Sequence, residues 1–209
     1  MQTHLDTLII EFDTGLRTLL AKAKSVRPHP DADIAEATLS DAEKNHASAL
    51  MRVNHTGEVC AQALYSGQAL TSHSANTAAA LRQAALEETE HLAWCETRIA
   101  QLGGRTSLLN PVFYAGAFTM GAIAGALGDK WNLGFVAETE KQVEAHLASH
   151  LDKLPQSDQK TRKIIEQMQQ DEAHHADEAK RLGAAELPAV AKALMKQMSS
   201  LMTKSTYYL

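Results

Sequence analysis

The amino-acid sequence predicts an all-α fold, with four long helices arranged as two antiparallel hairpins and a long connection between the second and third helices. Four long segments contain no proline and are rich in Ala, Leu, Glu and Gln, residues that favour helices. No segment shows the alternation of apolar and polar residues that is typical of a β-strand. With 209 residues, 44% of them hydrophobic, the chain is also large enough to bury a core between such helices.

The N-terminal part is predicted to be a short helix followed by a loop. Pro28 and Pro30 lie within residues 25–38, which show little periodicity, so this segment is expected to be irregular. We therefore assign residues 1–38 to an N-terminal helix and loop, and residues 39–209 to the main helical domain. The N-terminus has no basic segment before its brief apolar run, so no secretory signal is expected and the chain is expected to be cytoplasmic.

Capping and stop signals bound the predicted bundle helices. Ser40 and Glu43 have the spacing of a capping box, so the first helix is expected over residues 41 to about 70. The others are expected over residues 77–102, closed by Gly103; over residues 131–154, closed by Pro155; over residues 158–182, closed by Gly183; and from Pro188 to about Lys204. The resulting order predicts a ferritin-like four-helix bundle with a long apolar crossover between helices 2 and 3 and additional terminal helices. A plain up-down bundle with an inserted loop is the alternative.

Charge and cysteine content narrow the functional classes. Lys and Arg number 20 against 25 Asp and Glu, so the formal charge is −5 and nucleic acid is not an expected partner. Cys60 and Cys95 are too few for a disulfide framework or a thiolate metal site. A metal site in this chain would therefore be built from His and carboxylates.

The candidate functional residues are carboxylates and imidazoles at matched spacings: Glu58, Glu88, His91, Glu140, Glu172 and His175. The midpoint of the first and second Glu is residue 73, and that of the third and fourth is residue 156; both lie in predicted turns. Residues equidistant from the turn of an antiparallel hairpin lie at one height, and residues i and i+3 share a helix face. Each hairpin is therefore expected to present two carboxylates and one imidazole at the same level.

Such a cluster predicts bound metal ions. Four buried carboxylates would cost several kcal/mol each unless cations offset their charge, and two divalent ions would neutralise them. Mixed carboxylate and imidazole ligands suit iron or manganese, and one Glu from each of two helices plus Glu-x-x-His from the other two is the di-iron pattern of helical bundles. Salt bridging without a metal is the alternative.

Two ambiguities remain within the motifs. Glu43-x-x-His46 repeats the Glu-x-x-His spacing, but Glu43 is explained by the capping box and precedes Glu58 by about 22 Å of helix. Glu144 lies one turn after Glu140 on the same face, and the arithmetic does not choose between the two.

Residues 108–128 form a stretch without a charged residue, about 30 Å long if helical. Three interpretations are open: a crossover packed on the bundle, a transmembrane span, and an interfacial element, which is favoured. Asn110-Pro111 breaks the start of the stretch and its four glycines lower helix propensity, both of which disfavour a span. Phe113, Tyr114, Phe118 and Trp131 suit a headgroup boundary.

The motif set resembles that of the demethoxyubiquinol hydroxylases of ubiquinone biosynthesis, from about residue 40 to the C-terminus. The residues that carry the resemblance are MRVNHTGE at 51–58, ETEH at 88–91, ETE at 138–140 with His146 following, and DEAHH at 171–175. The resemblance implies that Glu58, Glu88, His91, Glu140, Glu172 and His175 bind two iron ions per subunit, and it selects Glu140. Asp171-x-x-His174 is also present, but only the Glu172 motif matches the other hairpin.

The same resemblance implies a di-iron monooxygenase that uses O2 to hydroxylate the ring of a 6-methoxy-3-methyl-2-polyprenyl-1,4-benzoquinol. It also implies a peripheral location on the cytoplasmic side of the cell membrane, where a polyprenyl substrate resides. No G-x-G-x-x-G motif follows a strand, so electrons are expected from elsewhere. The alternatives are a ferroxidase or peroxidase of the ferritin or rubrerythrin kind and a metal-free helical interaction protein. A homo-oligomer and a ubiquinone-biosynthesis complex are both left open.

Overall fold

The protein is all-α, as the sequence predicts. The computed structural model describes residues 4–209, and within that range it contains no β-strand. Its helices are α1 (His4–Leu20), α2 (Asp41–Thr71), α3 (Ala75–Gln101), α4 (Asn110–Ala126), α5 (Asp129–Leu151), α6 (Gln159–Arg181) and α7 (Ala189–Tyr208). The four bundle helices α2, α3, α5 and α6 lie within a few residues of their predicted bounds, because their caps and stop signals are local.

Two hairpins form the bundle. Helix α2 packs along α3 and α5 packs along α6, and the α3–α6 and α2–α5 contacts join the two hairpins. The predicted capping box is present: the Glu43 backbone N–H donates to Ser40 Oγ, and the Ser40 N–H donates to Glu43 Oε2 at 2.8 Å. At the start of α6, buried Arg98 donates to Asp158 Oδ1 at 2.8 Å, which ties α3 to the N-terminus of α6.

The connection between α3 and α5 contains α4, which packs along α2. Residues 110–126 are helical although Asn110-Pro111 and the glycines lower the helix propensity of this stretch. Pro111 lies in the first turn, where a missing backbone N–H costs no helical hydrogen bond. Two glycines let the backbones approach closely: a Cβ on Gly67 would lie 2.2 Å from Phe118 O, and one on Gly121 would lie 2.2 Å from Leu64 O. Tertiary packing therefore outweighs the low helix propensity of this stretch.

The outer helices leave apolar side chains exposed. Helix α1 lies on α2 and α4, and α7 lies on α2 and α5. The large exposed apolar residues of α1 include Leu5, Leu8, Phe12, Leu16 and Leu20, and those of α4 and α7 include Val112, Ile123, Leu194 and Leu201. No helix among residues 4–209 is both long and apolar enough to cross a membrane.

Candidate metal centre

The structure brings the six predicted site residues together inside the bundle. Helix α2 supplies Glu58, α3 supplies Glu88 and His91, α5 supplies Glu140, and α6 supplies Glu172 and His175. Each of these side chains is at most 5% exposed. The common height follows from regular helices that meet at short turns, as the midpoint arithmetic requires.

The first half of the cluster surrounds His91. Its Nδ1 atom lies 2.9 Å from Glu88 Oε2, 3.2 Å from Glu172 Oε1 and 3.6 Å from Glu58 Oε2. Ligand atoms of these four residues all lie within 4.8 Å of one another, so this group could hold a metal ion.

The second half surrounds His175 and repeats the arrangement. Its Nδ1 atom lies 3.2 Å from Glu88 Oε1 and 3.2 Å from Glu172 Oε2. Glu140 lies at this half, where its carboxylate accepts a short hydrogen bond from the Tyr65 hydroxyl. Glu88 and Glu172 thus each turn one oxygen toward each of the two imidazoles.

A second set of carboxylates holds the far side of each imidazole. His91 Nε2 lies 3.0 Å from Asp171 Oδ2, and His175 Nε2 lies 2.8 Å from Glu87 Oε2. An imidazole that donates its Nε2–H to a carboxylate keeps its Nδ1 lone pair free for a metal. Our sequence analysis did not consider Glu87, and it considered Asp171 only as part of the Asp171-x-x-His174 spacing, although an acidic residue directly precedes each Glu-x-x-His motif.

Burial and the charges of neighbouring side chains strongly shift the pKa values of the clustered residues. Burial, aided by the charges of Glu88 and Glu172, raises the pKa of Glu58 well above its usual range. Burial alone would raise the pKa of Glu88, but the charges and hydrogen bonds of His91 and His175 hold it below its usual range.

The remaining three shifts have the same origin. Burial, followed by the charges of Glu172 and Glu88, raises the pKa of Glu140. Burial alone would lower the pKa of His175, but hydrogen bonds with Glu172 and Glu88 raise it to about 12. The pKa of His91 is likewise raised against the effect of burial, chiefly by the charge of Glu88.

The donor set fits a divalent metal. Ligand atoms of Glu58, Glu88, His91 and Glu172 lie within 4.8 Å of one another and all four side chains are buried, so an ion between them would meet only carboxylate and imidazole donors. Carboxylate and imidazole donors favour iron or manganese over thiolate-seeking metals. Divalent ions between these carboxylates would replace the protons and imidazolium charges that otherwise balance the cluster.

Other residues singled out in the sequence lie outside the cluster. Glu43 caps α2, and His46 Nδ1 lies 2.7 Å from the Tyr207 hydroxyl. Of the adjacent residues His174 and His175, His174 is exposed and His175 is the one that lies in the cluster. Asp171 accepts from His91, so Asp171 and His174 do not act together as a Glu-x-x-His motif does. His146 is packed against His150, with ring centroids 4.0 Å apart, and lies in a cleft between α5 and α7.

Tyr65 and Trp94 are not part of the cluster but contact its residues. The Tyr65 hydroxyl bonds to Glu140, and the Trp94 ring centroid lies 5.3 Å from that of His91. Both side chains also pack in the hydrophobic core. A helical residue seven positions after Glu58 returns to the same face, which is the signal that could have identified Tyr65.

An apolar cavity of about 180 Å³ lies beside the cluster, between α2, α4, α5 and α7. Its lining includes Gly57 and Thr139, the residues that precede Glu58 and Glu140. Val112 of α4 and Met198 of α7 also line it and are 69% and 41% exposed, so the cavity opens between these two helices.

Comparison with known proteins gives one family. The family model for "Ubiquinone biosynthesis protein COQ7" matches residues 45–206. The chain is 64% identical to the 3-demethoxyubiquinol 3-hydroxylase of Chromobacterium violaceum, over 97% of this chain and 98% of that protein. It is 61% identical to the enzyme of the same name from Laribacter hongkongensis, over 98% of this chain and 100% of that protein. It is 58% identical to the enzyme of the same name from Nitrosospira multiformis, over 98% of this chain and 99% of that protein.

Proposed function

The chain belongs to the ubiquinone biosynthesis protein COQ7 family, and from this membership we propose that it is a 3-demethoxyubiquinol 3-hydroxylase. The reaction is the O2-dependent hydroxylation of the ring of a 6-methoxy-3-methyl-2-polyprenyl-1,4-benzoquinol. The observation that carries the proposal is the juxtaposition of a buried carboxylate and imidazole cluster with an apolar cavity, in a chain so similar to proteins of that name.

Two iron ions are the proposed cofactors, and the six clustered residues are their proposed ligands. Glu88 and Glu172 would bridge the ions, because each turns one oxygen toward each imidazole. Glu58 with His91 would complete one ion's ligands, and Glu140 with His175 the other's. When bound, ferrous iron supplies the electrons and the open coordination positions for the reaction of O2.

The chain itself orients the quinol and keeps water away from the cluster. Apolar side chains line most of the cavity, which favours the ring and first isoprenoid units of the substrate. Thr139 also lines the cavity, and its buried Oγ1 has no hydrogen-bond partner, so this hydroxyl is available to a ring oxygen. The rest of the prenyl chain would leave through the opening between α4 and α7.

We further propose that the protein binds peripherally to the cytoplasmic side of the cell membrane. The apolar side chains that α4 and α7 expose flank the cavity opening, so the substrate would enter directly from the lipid. Two free cysteines, Cys60 and Cys95, are compatible with a reducing compartment. Of residues 108–128, only the face of α4 that does not pack on α2 would therefore contact the membrane.

Iron loading followed by turnover tests the proposal. Anaerobic titration with ferrous iron is expected to give about two ions per chain, with an oxo-bridged ferric absorption after exposure to O2. Reduced demethoxyubiquinol should then gain one hydroxyl oxygen, which mass spectrometry with ¹⁸O2 detects. Oxidation of ferrous iron without formation of a hydroxylated quinol would instead indicate a ferroxidase or peroxidase. A protein that binds no metal would indicate an interaction role.

The ligand assignment has its own test. Glu172→Ala is expected to lose iron and activity while circular dichroism still reports a helical protein, because the substitution removes one proposed bridge. Glu144→Ala is the matched control, since Glu144 lies one turn after Glu140 and is less buried. Full activity in Glu172→Ala, or equal losses in both variants, would contradict the assignment.

A further inference from the structure

Residues 25–27 lie across the outside of the cluster and are fastened there by Glu90. The Glu90 carboxylate accepts from the Val26 backbone N–H at 2.9 Å and from the Arg27 backbone N–H at 3.2 Å, and also from the Ser25 hydroxyl. Trp94 Nε1–H donates to Ser25 Oγ at 3.1 Å. These contacts attach the segment that follows α1 to the same face of α3 that carries His91.

The attachment places the Arg27 side chain behind a carboxylate of the candidate metal centre. Arg27 Nη2 donates to Asp171 Oδ2 at 2.6 Å, and its guanidinium lies 4.6 Å from the centroid of the Trp94 ring. The same Asp171 oxygen lies 3.0 Å from His91 Nε2. A continuous path therefore runs from Arg27 through Asp171 to His91, whose Nδ1 faces the clustered carboxylates.

The two halves of the cluster differ at this position. Glu87, the counterpart of Asp171, accepts from Gln83 Nε2 at 3.2 Å, and Asp171 likewise accepts from Gln167 Nε2 at 3.0 Å. Asp171 accepts in addition from the Arg27 cation. The Glu87 side chain is also 40% exposed, against 17% for Asp171. The carboxylate behind His91 is thus backed by a cation as well as an amide and is more shielded from water, whereas the one behind His175 is backed by an amide and is more open.

We propose that Arg27 is a positioning residue of the metal centre, which acts through Asp171 to fix the His91 imidazole and so strengthens metal binding in the His91 half. A carboxylate partner holds a ligating imidazole in one orientation and raises its basicity, and the Arg27 guanidinium fixes the Asp171 carboxylate in the place where it does so. The inference rests on the proposed ligand role of His91 and not on the identity of the substrate. Arg27 also lies outside residues 45–206, the part matched by the family model.

Metal titration against a competing chelator tests the proposal without any measurement of activity. Loss of partners behind a ligand typically weakens metal binding 10–100-fold. Arg27→Gln should therefore weaken one of the two binding steps for Co²⁺ about 10-fold or more, and leave the other nearly unchanged. Arg27→Lys keeps the cation and should recover most of the loss. Arg17→Gln is the matched control, because Arg17 pairs with Asp13 on the exposed side of α1.

A double-mutant cycle separates this role from a general effect on folding. If Arg27 acts through Asp171, Arg27→Gln in an Asp171→Asn background should cause little further loss of affinity. The melting temperature of the metal-free variants supplies the second readout, since a merely structural residue would lower it in proportion to the loss of affinity. Unchanged binding in Arg27→Gln, additive losses in the cycle, or an equal loss in Arg17→Gln would overturn the proposal. Wild-type protein that bound no metal would overturn the metal centre itself, and this inference with it.

Discussion

Acid is expected to destabilise the metal-free protein through His150 of α5. This side chain is buried, and its Nδ1 has no hydrogen-bond partner. Burial, followed by the charges of His146, Lys153 and His46, lowers the pKa of His150 to about 2. In the unfolded chain the pKa returns to about 6.5. Between these values the unfolded state binds a proton that the folded state does not, so the stabilisation is complete above about pH 6.5 and is lost as the pH falls.

The magnitude at a given pH follows from the unfolded pKa. Each pH unit below about 6.5 costs about 1.4 kcal/mol, so the loss at pH 5 is about 2 kcal/mol. Because the folded pKa lies far below 5, this figure is insensitive to its exact value. Replacement of His150 by a side chain that does not titrate should remove this pH-dependent loss of stability.

Urea unfolding of metal-free wild type and His150→Gln at pH 7 and pH 5 measures this contribution. We expect wild type to lose about 2 kcal/mol more than the variant between the two pH values. The clustered carboxylates and imidazoles also titrate, but they are present in both proteins and cancel in the comparison. His73→Gln is the control, because His73 is exposed in the turn after α2. An identical pH dependence in wild type and His150→Gln would refute the reasoning.

Three further predictions concern α4 and the cavity. Gly121→Ala should lower the free energy of unfolding by about 1–3 kcal/mol, because its Cβ would lie 2.2 Å from Leu64 O. Gly116→Ala, whose Cβ has open space, should leave it unchanged or raise it slightly, and urea unfolding compares the two. Gly116→Leu should fill the cavity and reduce quinol hydroxylation several-fold at unchanged iron content; undiminished turnover would count against the cavity as the substrate site. Ile123→Lys should reduce flotation with anionic vesicles, whereas Leu86→Lys on α3 should not, and equal flotation of both would argue against α4 as the membrane face.

The position of the cluster could be predicted because it depends on local regularity. Helix bounds follow from caps and stop signals such as Ser40 with Glu43, and the height of Glu58 opposite Glu88 follows from a short turn. The Glu-x-x-His spacing then shows which face of its own helix points into the cluster, and no knowledge of the partner helix is needed. Each of these signals is contained within one helix or one hairpin, so the sequence alone carries it.

The contacts behind the imidazoles could not be predicted in this way, because they join different hairpins. Asp171 of α6 faces His91 of α3, and Glu87 of α3 faces His175 of α6, so neither pair has a fixed separation in sequence. Arg27 is more distant still, since it reaches Asp171 from an irregular segment. The sequence leaves the helical state of residues 110–126 open for a similar reason, because close packing on α2 compensates for the glycines of this segment.

Helix α2 joins the two chemical environments that the proposed reaction requires. Its inward face contributes Glu58 to the cluster and Tyr65, which donates to Glu140, and the neighbouring face contributes Gly57 and Leu64 to the cavity wall. A quinol ring in the cavity would therefore lie within one helix width of the metal ligands, while α4, packed closely on the same helix, extends the cavity toward its opening. The close contact at Gly121 would thus fix the proposed substrate path relative to the candidate metal centre, so a methyl group there is expected to disturb substrate access as well as stability.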